Sequence, residues 1–473
     1  MWQWPLLRES MKKVTRRIIL AILALDILTA TGCSKMQQGR ADSFDPACDY
    51  QYQYYNTDVE LGLNITEDES GCLYYLAGGY LYKYDPKTGE NAPLCNKTNC
   101  LHDKETDETR FKSCNAFFPI VDDFAKSTSV VSYENGYIYI AGTVDWAYSY
   151  NTFITRIKTD GSQIQDIHEF NGQYYNSIMH RGYYYYADKA YDEDGNYSFS
   201  VKSYPLDGHG KEKTIFVPSG EMLTYEIDDF MAYGKYLYFC VSQTDKETKS
   251  TSKYRYYCLD TSTGKTAEIK VPDNEKIIRI NFFNDKLIFY TENDEKDAEM
   301  GNKWYDGTPD SYEVPMYEAD LDGKNQKEIP VKIQLGYNIY SDGDYLVVSN
   351  DNLLSVTDKK YIDADPEAFK EATYYVYDKN YKLVDSYTED FKGYNSEYGI
   401  YRVYYSPLGV GETSYSLVID PEDGSAVLYG GDKSQIGGLD GSQFKRKKLA
   451  VIAQSPAAKF GIEVSHGKPY KRF

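Results

Sequence analysis

The chain has 473 residues, a formal charge of −20 and 51 tyrosines. An acidic body of this kind argues against nucleic acid or an anionic membrane as a partner of the body itself, because like charges repel. Tyr is a strand former whose ring packs while its hydroxyl stays wet, and helical periodicity is scarce beyond the N-terminus, so an all-α architecture is set aside.

Residues 1–32 read as a secretory signal with a short helix. Lys12, Lys13, Arg16 and Arg17 form a positive start, residues 18–28 are mostly apolar, and Ala30-Thr31-Gly32 leads into Cys33. Met11-Lys12-Lys13 is the ordinary opening of such a signal. A cysteine directly after small residues is where bacterial lipoprotein signals are cut and lipidated, palmitate included; Asp26 in the apolar run and Ala30 in place of the usual Leu depart from that pattern. The expected place of the mature chain is therefore the extracytoplasmic face of the cell membrane, held by lipid on Cys33. A plain secretory signal or an anchoring segment is the alternative. No other stretch is apolar over ~18 residues, so nothing else is expected to span a bilayer.

Residues 33–47 are polar and read as a tether. Residues 49–64 hold Tyr50, Tyr52, Tyr54, Tyr55, Val59 and Leu61, enough for one strand that closes a ring. From residue 71 to 424 one phrase then recurs seven times: a Gly or Asp turn, a Tyr-rich alternating run, a charged stretch, and a second run ending at Asp near a Gly. The openings lie at Gly71, Gly136, Gly182, Gly234, Asp285, Gly343 and Gly399, 46 to 65 residues apart. The answering turns include Asp85-Pro86-Lys87-Thr88-Gly89, Thr159-Asp160-Gly161, Asp207-Gly208, Asp320-Leu321-Asp322-Gly323 and the stretch 420–424. Four strands of about five residues with turns need roughly 40 residues, so each repeat holds one four-stranded hairpin sheet with room for loops. The prediction is an all-β fold: a single β-propeller over residues 48–430, of seven blades with four antiparallel strands each.

The surplus length gathers at 91–119, 291–315 and 350–371, where a binding face is expected, since loops carry function more often than strands do. Pro366 begins one helical turn in the third. Residues 431–473 break from the repeat and form a basic tail with one strand near 449–453; Lys445, Arg446, Lys447 and Lys448 either touch anionic polymer or headgroups or are simply solvated. With five basic and two acidic side chains in 1–32, and eight basic against Glu463 after Phe444, the propeller body carries about −30.

The sharpest chemical signal is Cys95-x4-Cys100-x-His102-x11-Cys114 in the first insertion. Three thiols and an imidazole are the ligand set of a tetrahedral zinc, and a short loop brings them together because no sheet geometry opposes it. A disulfide-stapled loop and free thiols are the competing readings. Parity bears on the choice: with Cys33 lipidated, seven cysteines remain, and with three on a metal the pairs Cys240 with Cys258 and Cys48 with Cys72 are left. Four protein ligands leave no open position for water, so such a zinc is structural.

The lipidation signal, the Tyr-rich repeat and the phrase from Leu94 to His102 followed by Cys114-Asn115-Ala116-Phe117 together resemble a group of surface lipoproteins of clostridial-type bacteria. The resemblance covers most of residues 11–430. It implies an extracytoplasmic, propeller-like lipoprotein and brings no activity with it; residues 431–473 do not fit it.

Asp192-Glu193-Asp194-Gly195 and Asp320-Leu321-Asp322-Gly323 lack the order of a calcium loop and read as turns. No nucleophile elbow, His-Glu-x-x-His or phosphate loop is present, and no catalytic residue is assigned. Trp146, Tyr148, Trp304 and Tyr305 lie in or beside loops and are the candidate ligand-binding aromatics; packing between blades is the competing role. The favoured function is a binding or interaction module for a glycan or an envelope protein. Its rivals are a glycan hydrolase or lyase on the same scaffold, and a structural component of an envelope complex. The oligomeric state is left open.

Overall fold

The structure, a computed structural model, describes residues 41–45, 49, 65–118 and, with breaks of which 294–311, 351–370 and 391–412 are the longest, 130–453. The signal, Cys33, most of the strand expected in 49–64 and the opening at Gly399 lie outside the described residues. The chain is an all-β propeller. Blade one consists of β1 (Ile65–Glu67), β2 (Leu73–Ala77), β3 (Tyr80–Asp85) and β4 (Glu90–Pro93), hydrogen-bonded in that order. Five more four-stranded antiparallel sheets repeat this order over 130–171, 177–216, 224–268, 275–334 and 338–390. The first strands of blades one to four touch in succession, as do those of blades five and six.

Among the described residues six complete four-stranded blades are thus present where seven were expected. The last sheet has three strands, Thr413–Ile419, Ala426–Asp432 and Arg446–Ile452. The middle strand is the buried one and runs past residue 430; the basic run Arg446–Ile452 pairs on its edge, where exposed Lys447 and Lys448 meet no steric objection. Among the described residues no helix is long and apolar enough to cross a membrane.

Buried side chains from consecutive blades form the core between them. Tyr74, Leu76 and Leu81 of blade one meet Val131, Ile138 and Ile140 of blade two, and Phe283, Ile288 and Tyr290 of blade five meet Ile339, Leu346 and Val348 of blade six. Between blades four and five the Phe282 ring lies 4.7 Å from that of Tyr233 and 4.8 Å from that of Tyr238. A buried hydroxyl without a partner costs about 1–3 kcal/mol, enough to cancel much of what its ring contributes, so these tyrosines must bond as well as pack. Tyr233 donates to Asp285 Oδ1 (2.6 Å), Tyr133 to Glu69 Oε2 (2.8 Å) and Tyr381 to Glu318 Oε2 (2.6 Å), each crossing from one blade to its neighbour.

The recurring Asp turns close the third and fourth strands. Asp85, Asp160, Asp207, Asp260 and Asp378 each accept the backbone N–H two residues on, at 2.8 to 2.9 Å. Two turns of this kind also seat against the chain just past the outer strand of the preceding blade. Gly161, at φ +80°, has the backbone of Cys95 and Asn96 within 3.0 Å of where a Cβ would stand, and Gly323, at φ +79°, has Ile269 at 3.0 Å. Gly264 has a similar φ of +71° but faces open space. Gly264→Ala is therefore expected to cost only backbone strain, about 1–2 kcal/mol. Gly161→Ala adds a backbone collision and should lower the thermal midpoint clearly further; equal midpoints would show that the turn does not bear on the neighbouring blade.

Candidate metal centre

The loop that follows blade one has little sheet of its own and is shaped by its ends and by two buried rings. Leu94 N–H donates to Leu81 O (2.8 Å) on the way out, and Leu81 N–H to Ala116 O (2.8 Å) on the way back. Phe111 and Phe117 are buried with ring centroids 5.5 Å apart, and Phe117 packs on Tyr80 at 5.7 Å. One helical turn, α1 (Glu108–Phe111), starts at Asp107, whose side chain accepts from Thr109 N–H (3.0 Å). Cys114 follows it directly, with its N–H on Phe111 O (3.0 Å).

These turns bring Cys95, Cys100, His102 and Cys114 together: one ligand atom from each lies within 4.8 Å of the others. Cys114 Sγ and His102 Nδ1 are 3.6 Å apart. With Zn–S bonds near 2.3 Å, neighbouring ligands of a tetrahedron are separated by about 3.8 Å, so the four atoms already span a shell of the right size. His102 holds a left-handed backbone, φ 54°, that turns the chain back toward the cluster.

The surroundings of the sulfurs fit negative ligands. Cys95 receives the N–H of Lys97, Cys100 that of His102 and Cys114 that of Ala116, each from two residues further along. Such donors stabilise thiolates and orient them as ligands. Cys95 is pulled down to about 4, first by the hydrogen bond from the Cys114 thiol and then by the N–H groups of Lys97 and Asn115. Cys114 is pushed up, chiefly by the same bond and by burial, and burial raises Cys100. A metal bound here would hold all three cysteines as thiolates.

The centre is clasped from outside by blade two: Asn115 Nδ2 donates to Gly161 O (2.8 Å). Tyr82 donates to Asp103 Oδ2 (2.9 Å), tying the His102 turn to β3. Neither contact was anticipated. Asn115 stood beside a candidate ligand and Gly161 in a repeat turn, but nothing in the order of residues joins them.

The remaining cysteines behave differently. Cys240 faces Tyr256 and Cys258 faces Tyr238, so the expected partners are two register positions apart. Both are buried, and the bridge between them is not formed. Cys72 is also a buried free thiol; Cys48 lies outside the described residues. Trp146 ends a long strand, paired with Ser149 across the hairpin, while Tyr148, Trp304 and Tyr305 lie outside the described residues.

His168 stacks on Tyr204 at 4.2 Å and is shifted down by burial, and buried His180 bonds Gly234 O through Nε2 (2.6 Å). Both are occupied as structural side chains. A cleft of about 450 Å³ between blades three and four is lined by Arg181, Tyr183, Lys213 and Lys235. Two of its three cations, Arg181 and Lys235, pair with Asp49, Asp42 and Asp260, and the third, Lys213, brings these six groups to zero, so the cleft offers little net charge to a ligand.

No protein-family model and no curated protein matches this sequence. Among solved structures the chain is similar to a puromycin hydrolase (10% identity, 88% of this chain, 57% of that one, TM-score 0.45). It is also similar to the dipeptidyl peptidase 4 of Porphyromonas gingivalis (11% identity, 88% and 58%, TM-score 0.39). A third likeness is to the oligogalacturonate lyase of Vibrio parahaemolyticus (9% identity, 83% and 89%, TM-score 0.40). The chain spans under three fifths of the first two proteins, and at these identities and scores no activity passes from any of the three to this chain.

A four-ligand centre predicts one metal ion per chain in the purified protein by elemental analysis. Cys114→Ser should lower the stoichiometry at least tenfold, while Cys240→Ser leaves it at one. A metal-free wild type would refute the assignment.

Proposed function

We propose that this chain is a lipid-anchored, extracytoplasmic propeller of seven blades that serves as a binding or interaction module, with a structural zinc in its first loop. The seventh blade is the three-stranded sheet completed by a strand from residues 49–64. Cys33 carries the lipid, as in the clostridial-type surface lipoproteins that the chain resembles, and the ligand is a glycan or another envelope protein.

One observation carries the binding reading. The four-ligand centre braces an insertion: the seams between blades three and four and between five and six are apolar without it, so a metal here shapes a loop. Between two of its ligands that loop holds Leu101 out to water, 54% exposed, at small entropic cost to a partner. Four protein ligands support zinc in a structural role, since none of its tetrahedral positions is left for substrate. The aromatics Trp146 and Trp304 would add anchors for a sugar ring or a protein side chain.

Mass spectrometry of the membrane form should find lipid on Cys33, and zinc should be the metal in the elemental analysis. The soluble domain should retain a glycan on an array or an envelope protein in a pull-down, and Leu101→Asp should weaken protein capture at least tenfold. Blank results on both surfaces would refute the module, and cleavage of an arrayed glycan would favour the hydrolase or lyase in its place.

A further inference from the structure

Part of the segment expected to be a tether is docked on the propeller. Arg181 lies in the turn between the first two strands of blade three and donates four times into this segment. Its Nε reaches Asp49 Oδ1 (2.8 Å), Nη2 reaches Asp49 Oδ2 (2.6 Å) and Ser43 O (3.0 Å), and Nη1 reaches Ala41 O (2.9 Å). The two side chains of the ion pair are only 9% and 4% exposed. A buried, two-pronged pair differs from a surface one: removing one partner strands the other charge away from water.

Blade four supplies the second clamp at the equivalent turn. Lys235 N–H donates to Asp42 O (3.0 Å), and its ammonium pairs with Asp42 (2.9 Å) and Asp260 (3.2 Å). Asp42 O lies so close to Gly234 that a Cβ there would stand 2.1 Å away. Phe44 packs on the ring of Tyr233 at 6.2 Å. The segment also holds its own bend, with Asp49 N–H on Asp45 O (2.8 Å) and Asp45 N–H on Asp49 Oδ2 (2.9 Å).

The consequence is one of reach. From Cys33 to Ile65, the start of β1, a free leash of 32 residues extends to about 110 Å, longer than the domain is wide. From Cys33 to Ala41 the chain advances only eight positions, about 28 Å at full extension. We propose that residues 41–45 together with Asp49 are a strap that pins the propeller by the seam between blades three and four and holds that seam against a lipid surface. The membrane placement rests on the lipidation reading of Cys33; the docking of the strap does not.

The test uses the full-length protein in phosphatidylcholine vesicles with acceptor-labelled headgroups, comparing donor dyes at residue 262, in the blade-four turn beside the strap, and at residue 87, on blade one. Transfer from 262 should exceed that from 87 by severalfold, and hydrogen exchange should show residues 41–45 protected. Arg181→Ala, and also Arg181→Lys, which keeps the charge but lacks the fork, should free the strap and equalise the two dyes while melting stays cooperative. Lipid on Cys33 with fast exchange in 41–45, or equal transfer from both dyes in the wild type, would overturn the strap. Absence of lipid on Cys33 in the mass spectrum would overturn the anchoring reading and the membrane placement together, leaving protection of 41–45 to show that this was the step that failed.

Discussion

The structure depends on each blade being finished by its neighbour. An isolated four-stranded hairpin sheet of this size has two faces to cover and nothing of its own to cover them with, so the blades are stable only as a series. Two features make the series specific. Left-handed glycines bring the Asp turns against the preceding blade without side-chain bulk, as Gly161 does on Cys95 and Gly323 on Ile269. Tyrosines fill the seams and bond across them, as Tyr233 does to Asp285 and Tyr133 to Glu69. A Phe in those places would pack as well but leave the facing carboxylate without its donor.

That constraint also explains which parts of the fold are legible in the sequence. The openings at Gly71, Gly136, Gly182, Gly234 and Asp285 each fall in the turn before a second strand, because both the turn conformation and the alternation that follows are local. The last sheet is not local in this sense. Its middle strand, Ala426–Asp432, is picked out by burial, and its edge strand, Arg446–Ile452, is a basic run that charge alone assigns to solvent. An edge strand needs only its backbone paired on one side, so lysines are no obstacle to it. Cys240 and Cys258 fail for a related reason. Their separation across the hairpin follows from its register, constant from Tyr236 facing Asp260 to Gln243 facing Lys253, which residue counting does not reveal.

The candidate metal centre was legible in its ligands and illegible in its supports. Cys95, Cys100, His102 and Cys114 lie within twenty residues, so chain length alone forces them near one another. What turns nearness into a site is the direction of backbone N–H groups at Lys97, His102 and Ala116, together with the wedge of Phe111 and Phe117 beneath. Backbone direction is a property of the folded turn, and any residue except Pro at those positions would supply the same donor.

Both irregular segments, the Cys/His loop and the strap, are held at seams between blades, and the reason is the same in each case. Within a sheet the backbone groups are consumed by strand pairing, and on the blade faces they are covered by side chains. Only at the turns flanking a seam do carbonyls such as Gly161 O stand available, with the N–H of Lys235 in a comparable place. A segment too short to build a core can therefore fix itself there with a few bonds: Asn115 to one turn, and Asp42, Asp49 and two carbonyls of the strap to two others. Arg181 and Lys235 occupy equivalent turns in adjacent blades, each at the position beside the opening glycine, yet one precedes it and the other follows it. That small asymmetry is sufficient for a regular scaffold to accept one segment at one seam.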